Sequence, residues 1–363
     1  MKIKTLFATD FGKLSQGGIL NFLRSLGALH PSSIEMTYVG LGPLAGPLPS
    51  ETSHYLALGG AVRPGERAGV NKKYLKRLLM GRSKIFKDTD LVILHRPEYS
   101  IAIPSQIPSV AIFHGGSWGL WRSQKTFLGL IYPLIELFAG LRAVKVFSVT
   151  PSTHTWLFRK LCKPAFLPPS FDDNIFKPIN GSYHCRPAEP LRLVAAARLV
   201  CEKQLDLLIK LASLLPGSSV DIFGDGPELA KLKYLAAKLK VPVTFHGMAR
   251  RQEIRDWYQK QSPIFIVCSK FEGFPIAALE AAASGVPVVG MAAPGVTTAL
   301  PLIGGYIANN FEDLPGKVIK AAQMGPQLES KNIYNAFRQG RDNAAFWSSL
   351  GETIAKPTHL GDG

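Results

Sequence analysis

Cysteine is scarce in this 363-residue chain, and its four examples, Cys162, Cys185, Cys201 and Cys268, lie far apart. None forms a Cys-x-x-Cys pair, so neither a zinc site nor a disulfide framework is indicated. The expected setting is a reduced, cytoplasmic one. Long apolar runs are also missing. The best candidate, Phe127–Leu141, falls short of the roughly 20 residues that a membrane-spanning helix needs. It also carries Pro133 and Glu136, and it reads as a buried helix. The start, MKIKTLFATDFGK, holds too few apolar residues before Asp10 for a signal peptide and reads as a first buried strand. There is no internal repeat and no low-complexity tract. HExxH metal patterns and Ser-His-Asp, Cys-His or clustered-histidine arrangements are absent as well.

Acid is in short supply. Lysine and arginine number 42 against 26 aspartates and glutamates, for a formal net charge of +16. The excess is uneven: residues 1–178 carry 22 basic against 10 acidic side chains, and the remainder 20 against 16. It peaks between Arg63 and Lys87, where nine basic residues accompany Glu66 alone before Asp88. Such a field attracts anions, whether phospholipid or polyphosphate, and an anionic membrane surface is a candidate partner; the same charge also fits a solvated helix face on a basic protein. Nucleic acid is not expected, because no nucleic-acid module accompanies the charge.

What the chain has is alternation. KIKTLFAT reads as a strand, and FGKLSQGG leads into a helical pattern over Ile19–Leu29. Strand-like runs at Glu35–Leu41, Leu91–Leu94, Val110–His114 and Val144–Val149 are separated by helical stretches at Lys72–Phe86, Thr126–Leu141 and Ser152–Leu161. The second half repeats the pattern with strands at Leu191–Ala197, Val220–Gly224, Val243–Gly247 and Ile264–Ser269. Helices there fall at Leu205–Leu215, up to Leu239, and around Glu253–Lys260. Pro275 then opens a further helix that ends near Gly285, before the strand VPVVG. Strands spaced by helix-length segments predict an α/β chain of two Rossmann-like, doubly wound parallel-sheet domains. The link falls around Leu167–Pro190, with one domain over 1–170 plus a C-terminal helix at about 335–363 and the other over 171–334. Their strand C-termini are expected to face a shared central cleft, where ligands bind.

One segment carries the chemistry, SKFEGFPIAALEAAASGVPVVG at residues 269–290. A strand ends at Ser269, Gly273 follows, and Pro275 opens a helix. The free backbone N–H groups of Gly273 and Phe274, together with the helix dipole, suit a phosphate. Glu272 lies in the loop and Glu280 about two turns down the helix. By itself the spacing of the two glutamates equally fits a solvent-exposed Glu280 without a ligand. Within this strand, loop and helix context the segment strongly resembles the signature of retaining GT-B glycosyltransferases, in particular glycosyltransferase family four. The resemblance implies that Glu280 bonds the donor ribose, and that Glu272, Gly273, Phe274 and Pro275 hold the sugar and diphosphate.

Further stretches resemble the same family in the same order. AARLVCEKQLDLLIKL matches its R-L-x3-K-G-x-D-x-L-I segment through Arg198, Lys203 and Asp206, with Gln204 where glycine is usual. Two cations at a strand end can neutralise a departing nucleotide diphosphate without a metal. SQGGI, with Gly17 and Gly18, matches the glycine-rich loop after the first strand, whose bare backbone can approach phosphate or acceptor. IFHGG places His114 where the family often sets a histidine against the sugar. FLPPSFDDNIFKP resembles the interdomain stretch through Pro169, Asp172, Phe176 and Pro178, with Ser170-Phe171 where Asn-Gly is usual, and FHGM sets Met248 at the nucleobase border. Asp88-Thr89-Asp90 has the D-x-D form of a metal motif but precedes LVILH as a turn precedes a buried strand, so no metal is expected.

The resemblance thus implies a GT-B hexosyltransferase with an N-terminal acceptor-binding and a C-terminal nucleotide-sugar-binding domain. It needs no cofactor beyond the nucleotide-diphosphate sugar it consumes. Its acceptor is expected to be a glycan or lipid-linked sugar of a surface polysaccharide or glycolipid. Its expected location is the cytoplasm, peripheral on the inner face of the membrane. A sugar-nucleotide epimerase and an inactive binding subunit of the same fold are the alternatives.

Overall fold

The first sheet is built from runs that bury both faces. β4 (Leu91–Leu94) and β5 (Ser109–Phe113) are buried throughout, as central strands of a helix-covered parallel sheet must be. Around them stand β1 (Lys2–Leu6), β2 (Glu35–Gly40), β3 (Ser53–Ala57), β6 (Lys145–Ser148) and the two-residue β7 (Ala165–Phe166). All pair in parallel in the order β3-β2-β1-β4-β5-β6-β7, with Thr5 opposite Ile93 and Ile93 opposite Val110. The chain reverses its direction of growth between β1 and β4, which makes that junction the topological switch point. The computed structural model describes residues 1–6, 22–23, 26–27, 30–44, 48–59, 70–116, 128–178, 190–338, 344 and 346–351.

One face of this sheet is covered by α1 (Val70–Met80), α2 (Arg82–Ile85), a 3-10 turn at Pro97–Ala102, α3 (Leu128–Arg142) and α4 (Trp156–Cys162). Tyr74, Tyr99, Ala139 and Phe158 from these elements share one apolar cluster with Leu94, Ala111 and Phe113. The helical pattern foreseen over Lys72–Phe86 is broken at Gly81 into α1 and α2. On the other face Phe22, Leu23 and Leu26 meet Phe346, Trp347 and Leu350 from the end of the chain. Trp347 Nε1 donates to the Leu26 carbonyl at 3.1 Å, tying that late segment to the first sheet. The chain accordingly divides into two compact units, Met1–Ser170 with Gln339–Gly363, and Phe171–Arg338.

The second unit carries six parallel strands in the order β10-β9-β8-β11-β12-β13. They are β8 (Arg192–Ala196), β9 (Ser219–Phe223), β10 (Val243–Gly247), β11 (Ile264–Val267), β12 (Val288–Met291) and β13 (Tyr306–Ala308). The helices are α5 (Leu205–Ser213), α6 (Leu229–Leu239), α7 (Arg251–Gln261), α8 (Ile276–Ala283), α9 (Val296–Leu302), α10 (Leu314–Met324) and α11 (Ser330–Phe337). α5 buries Leu205, Leu208, Ile209 and Leu211, the i, i+3, i+4 stripe of an amphipathic helix. Here the switch point lies between β8 and β11.

The Asp88-Thr89-Asp90 triplet is a turn at the start of β4, at the opposite strand end from the switch-point loops. Asp88 takes a left-handed conformation, and the Asp90 carboxylate accepts from the Lys2 backbone N–H at 2.7 Å. Among the described residues no helix is long and apolar enough to cross a membrane.

Candidate active site

In the second unit the loops leaving β8 and β11 bring together residues about 70 positions apart. After β8 the backbone is pinned by Ala197 N–H to Phe223 O and Leu199 N–H to Asp225 O, both 2.9 Å. This close approach needs Gly224, because a β-carbon there would sit 1.9 Å from the Ala197 carbonyl oxygen. The chain then makes a 3-10 turn over Cys201–Lys203 and enters α5 through Gln204, whose φ of 46° and ψ of 43° are left-handed. That is the position where the resembling family carries glycine. Gln204 holds here, with a side chain present, a left-handed conformation that glycine adopts without steric cost.

Lys203 emerges from this turn, and its Nζ donates to Glu272 Oε1 at 2.5 Å. Ser269 Oγ donates to the same oxygen at 2.6 Å. Both members of the pair are largely shielded from solvent, so their attraction is screened less than that of a surface pair. Glu272 is fixed through its backbone as well, since its N–H donates to the Pro294 carbonyl at 3.0 Å. Arg198, at the end of β8, is exposed and has no carboxylate partner among the described residues.

Beyond Glu272 come Gly273, half-buried, and Phe274, buried with its ring 5.9 Å from that of Phe337. Pro275 caps α8, and its carbonyl receives the N–H groups of Ala278 and Leu279. The first helical amides, at Ile276 and Ala277, are left without intrahelical acceptors. Glu280 lies inside α8 and is only 9 % exposed, so the solvent-facing alternative for this glutamate is excluded. Its carboxylate Oε1 stands 3.0 Å from Arg251 Nη2 of α7. Burial pushes the Glu280 carboxyl up to about 7, against the opposing pull of Arg251 and with a small further push from Asp172. Nothing in the local sequence marks Arg251 as its partner, because the two residues stand 29 positions apart on separate helices. Met248 is exposed just after β10, the edge strand two positions from β8.

The first unit has a polar constellation at its own switch point. His95 follows β4 and His114 follows β5, and His95 Nδ1 lies 3.0 Å from His114 Nε2. His95 Nε2 in turn lies 3.1 Å from the Thr5 hydroxyl of β1. Burial lowers His114 to about 4, helped by the nearby Arg96 cation, and burial beside His114 holds His95 well below the usual histidine range. Both rings are therefore neutral at pH 7, and each hydrogen bond in the chain sets the tautomer of the next ring. The clustered-histidine arrangement that the sequence lacks is thus made by the tertiary structure. The signal was present as two histidines, each directly after a strand, in LVILH and IFH. Gly17 and Gly18 lie outside the described residues.

A second constellation overturns a sequence expectation. Ser148 Oγ lies 2.8 Å from His154 Nε2, and His154 Nδ1 lies 3.0 Å from Glu136 Oε1, the connectivity of a Ser-His-acid triad. Its histidine and glutamate side chains are 0 % and 1 % exposed, and Ser148 is equally buried. No substrate reaches such a hydroxyl. The group ties α3 to the end of β6 and the segment before α4.

Comparison with known proteins bears on the second unit first. Residues 184–334 match the family described as glycosyl transferases group 1. This region contains Arg198, Lys203, Met248, Glu272 and Glu280. A similar protein is the UDP-N-acetylglucosamine–peptide N-acetylglucosaminyltransferase GtfA subunit of Streptococcus pneumoniae serotype 4, 30 % identical over 160 residues, 41 % of this chain and 31 % of that one. The sulfoquinovosyl transferase of Arabidopsis thaliana is 31 % identical over 115 residues, 32 % of this chain and 22 % of that protein. The chain thus spans less than a third of the length of these relatives. Among solved structures, sucrose-phosphate synthase from Thermosynechococcus elongatus aligns over 98 % of this chain and 99 % of its own with a TM-score of 0.79 and 16 % identity. Anabaena HepE in complex with UDP and glucose aligns over 97 % and 100 % with a TM-score of 0.68 and 14 % identity. The fold is GT-B, with two Rossmann-like domains.

Proposed function

We propose that the chain is a retaining glycosyltransferase that moves a hexose-type sugar from a UDP- or GDP-linked donor to a glycan or lipid-linked acceptor. The observation that carries this reading is the Lys203–Glu272–Ser269 cluster at the β8/β11 switch point, inside the group 1 region. A basic side chain held by a carboxylate, in a loop that leads into two helical amides without intrahelical acceptors, is suited to a diphosphate. The UDP complex of HepE supports a nucleoside diphosphate as that ligand.

On this reading the donor diphosphate occupies the loops after β8 and β11. As the sugar C1–O bond breaks, negative charge grows on the leaving phosphate oxygen, and Lys203 and Arg198 neutralise it without a metal. Glu272 keeps Lys203 in place, and Glu280 accepts from the ribose hydroxyls. The leaving oxygen takes the proton of the acceptor hydroxyl on the same face of the sugar, which preserves the anomeric configuration. The resemblance assigns His114 a contact with the sugar, and a neutral imidazole serves there as either donor or acceptor. Acceptor binding falls to the first unit. The setting is the inner membrane surface, in surface polysaccharide or glycolipid synthesis.

A thermal-shift panel of UDP-, GDP-, ADP- and dTDP-sugars selects the donor, since a ligand bound by the native state raises Tm by mass action. With that donor, Lys203→Ala and Glu280→Ala should each lower transfer by about 100-fold or more while the circular dichroism spectrum is retained. Full activity in both variants would sink the assignment. Product analysis without acceptor separates transfer from epimerisation.

A further inference from the structure

Helix α3 is inside out. Its carboxylate, Glu136, points inward to His154, while Ile131, Leu134, Phe138 and Leu141 form a stripe at i, i+3, i+7 and i+10 that is 43 %, 66 %, 51 % and 60 % exposed. This is not the buried helix that its composition suggests. Neighbouring α4 continues the surface with Trp156, 64 % exposed, and Leu161. Leu141, Val144 and Leu161 line a shallow groove between the two helices, and Lys145 and Lys163 stand in the same lining. A contiguous exposed apolar surface of this kind marks an interaction site.

The charges around it identify the partner. From residue 128 to 170 the chain carries Arg142, Lys145, Arg159, Lys160 and Lys163 against a single carboxylate, the buried Glu136. Arg142 is tied to the Ser100 and Ile103 carbonyls, but Arg159, Lys160 and Lys163 are exposed. Lys160 Nζ lies 4.9 Å from the Trp156 ring centre, a cation over an aromatic face. On the same side of the sheet, α1 adds exposed Lys72 and Lys76. A second copy of this chain would set cations against cations. A bilayer with anionic headgroups accepts both parts at once, apolar side chains at the acyl boundary and ammonium groups at the phosphates.

We propose that the outward side of α3 and α4 is a docking surface for an anionic lipid bilayer. It rests on the membrane location named above, to which it gives a contact face, and it uses none of the residues assigned to the nucleotide. The whole chain, floated with vesicles of phosphatidylglycerol in phosphatidylcholine, should rise with them, less so as salt is raised, and only weakly with pure phosphatidylcholine. R159Q/K160Q/K163Q should weaken partition onto anionic vesicles on the order of 100-fold, with little effect on neutral ones. L134S/F138S should weaken both, on the order of 100-fold. Because these side chains are exposed, both variants should keep the wild-type Tm, and the cation variant decides if the other misfolds. Failure to float with anionic vesicles, or undiminished flotation of the folded variants, overturns the proposal. A dimer in sedimentation equilibrium that L134S/F138S dissolves, without vesicle binding, would reassign the face to a second copy. Calorimetry with UDP and GDP on the same samples reads the catalytic proposal separately. Flotation without nucleotide binding would overturn that proposal and leave this surface standing.

Discussion

Gln204 sits between Lys203 and α5 at a left-handed φ, a conformation in which a β-carbon costs on the order of 1 kcal/mol that glycine avoids. Its side chain makes no cap hydrogen bond to the helix it precedes. Gln204→Gly should therefore stabilise the second unit by about 1 kcal/mol, seen in calorimetry as a Tm rise of about 2–4 °C. A lower Tm would show that the side chain contributes more than its backbone strain removes. The departure was visible in the sequence because the neighbouring Arg198, Lys203 and Asp206 set the register. The partners of single residues were not visible in the same way. Lys203 and Glu272 could each be named, but not their shared hydrogen bond, and Arg251 could not be named at all. Side-chain pairing across 30 or 70 residues depends on where two elements come to rest, and local pattern carries no record of that.

Elements act on the site through the loops that join them. The loop holding Glu272 is braced by the segment between β12 and α9, where Pro294 accepts the Glu272 N–H and Gly295 adopts a φ of 82°. A β-carbon at Gly295 would stand 1.8 Å from the Glu272 carbonyl oxygen, too close for any accommodation short of moving the loop. Gly295→Ala should accordingly cost about 2 kcal/mol or more, read by urea unfolding, and should lower transfer with wild-type Glu272 still in place. Unchanged stability would mean that the loop shifts freely. Most elements were legible as alternating apolar strands and amphipathic helices. The edge strand β3 was not, because SHYLA is short and lacks the apolar run or alternation that marks the other strands. α3 was legible as a helix but misread in orientation. A helix that is apolar on nearly every side has no face that distinguishes core from surface, and only the inward contact of Glu136 decides it.

The two units of the whole molecule should respond oppositely to acid. In the first, His95 and His114 titrate below their unfolded value, so the unfolded chain binds more protons and stability falls as pH drops from about 6.5 towards 4. In the second, Glu280 titrates near 7 against an ordinary value of 4.5, so its contribution is greatest at low pH and is lost as pH rises through 7. Each group changes stability by up to roughly 1.4 kcal/mol per pH unit within its window. Hydrogen exchange resolved by unit, at pH values from 5.5 to 7.5 (about two units, spanning both windows), should show the first unit gaining protection and the second losing it. His114→Asn should flatten the first slope and Glu280→Gln the second, and equal slopes in both units would contradict the assignment. At this scale the sequence alone determined the alternating architecture, the two-domain plan and which residues stand in the loops after β8 and β11, because periodicity and strand-end motifs are local properties. Tertiary structure alone decided that Glu280 is buried against Arg251, that His95 joins His114, that a triad-like group is sealed in the core, and that α3 turns its apolar side outward. Each of these depends on the packing of segments distant in the chain, which sets desolvation and pairing, and neither quantity is written in a local stretch of residues.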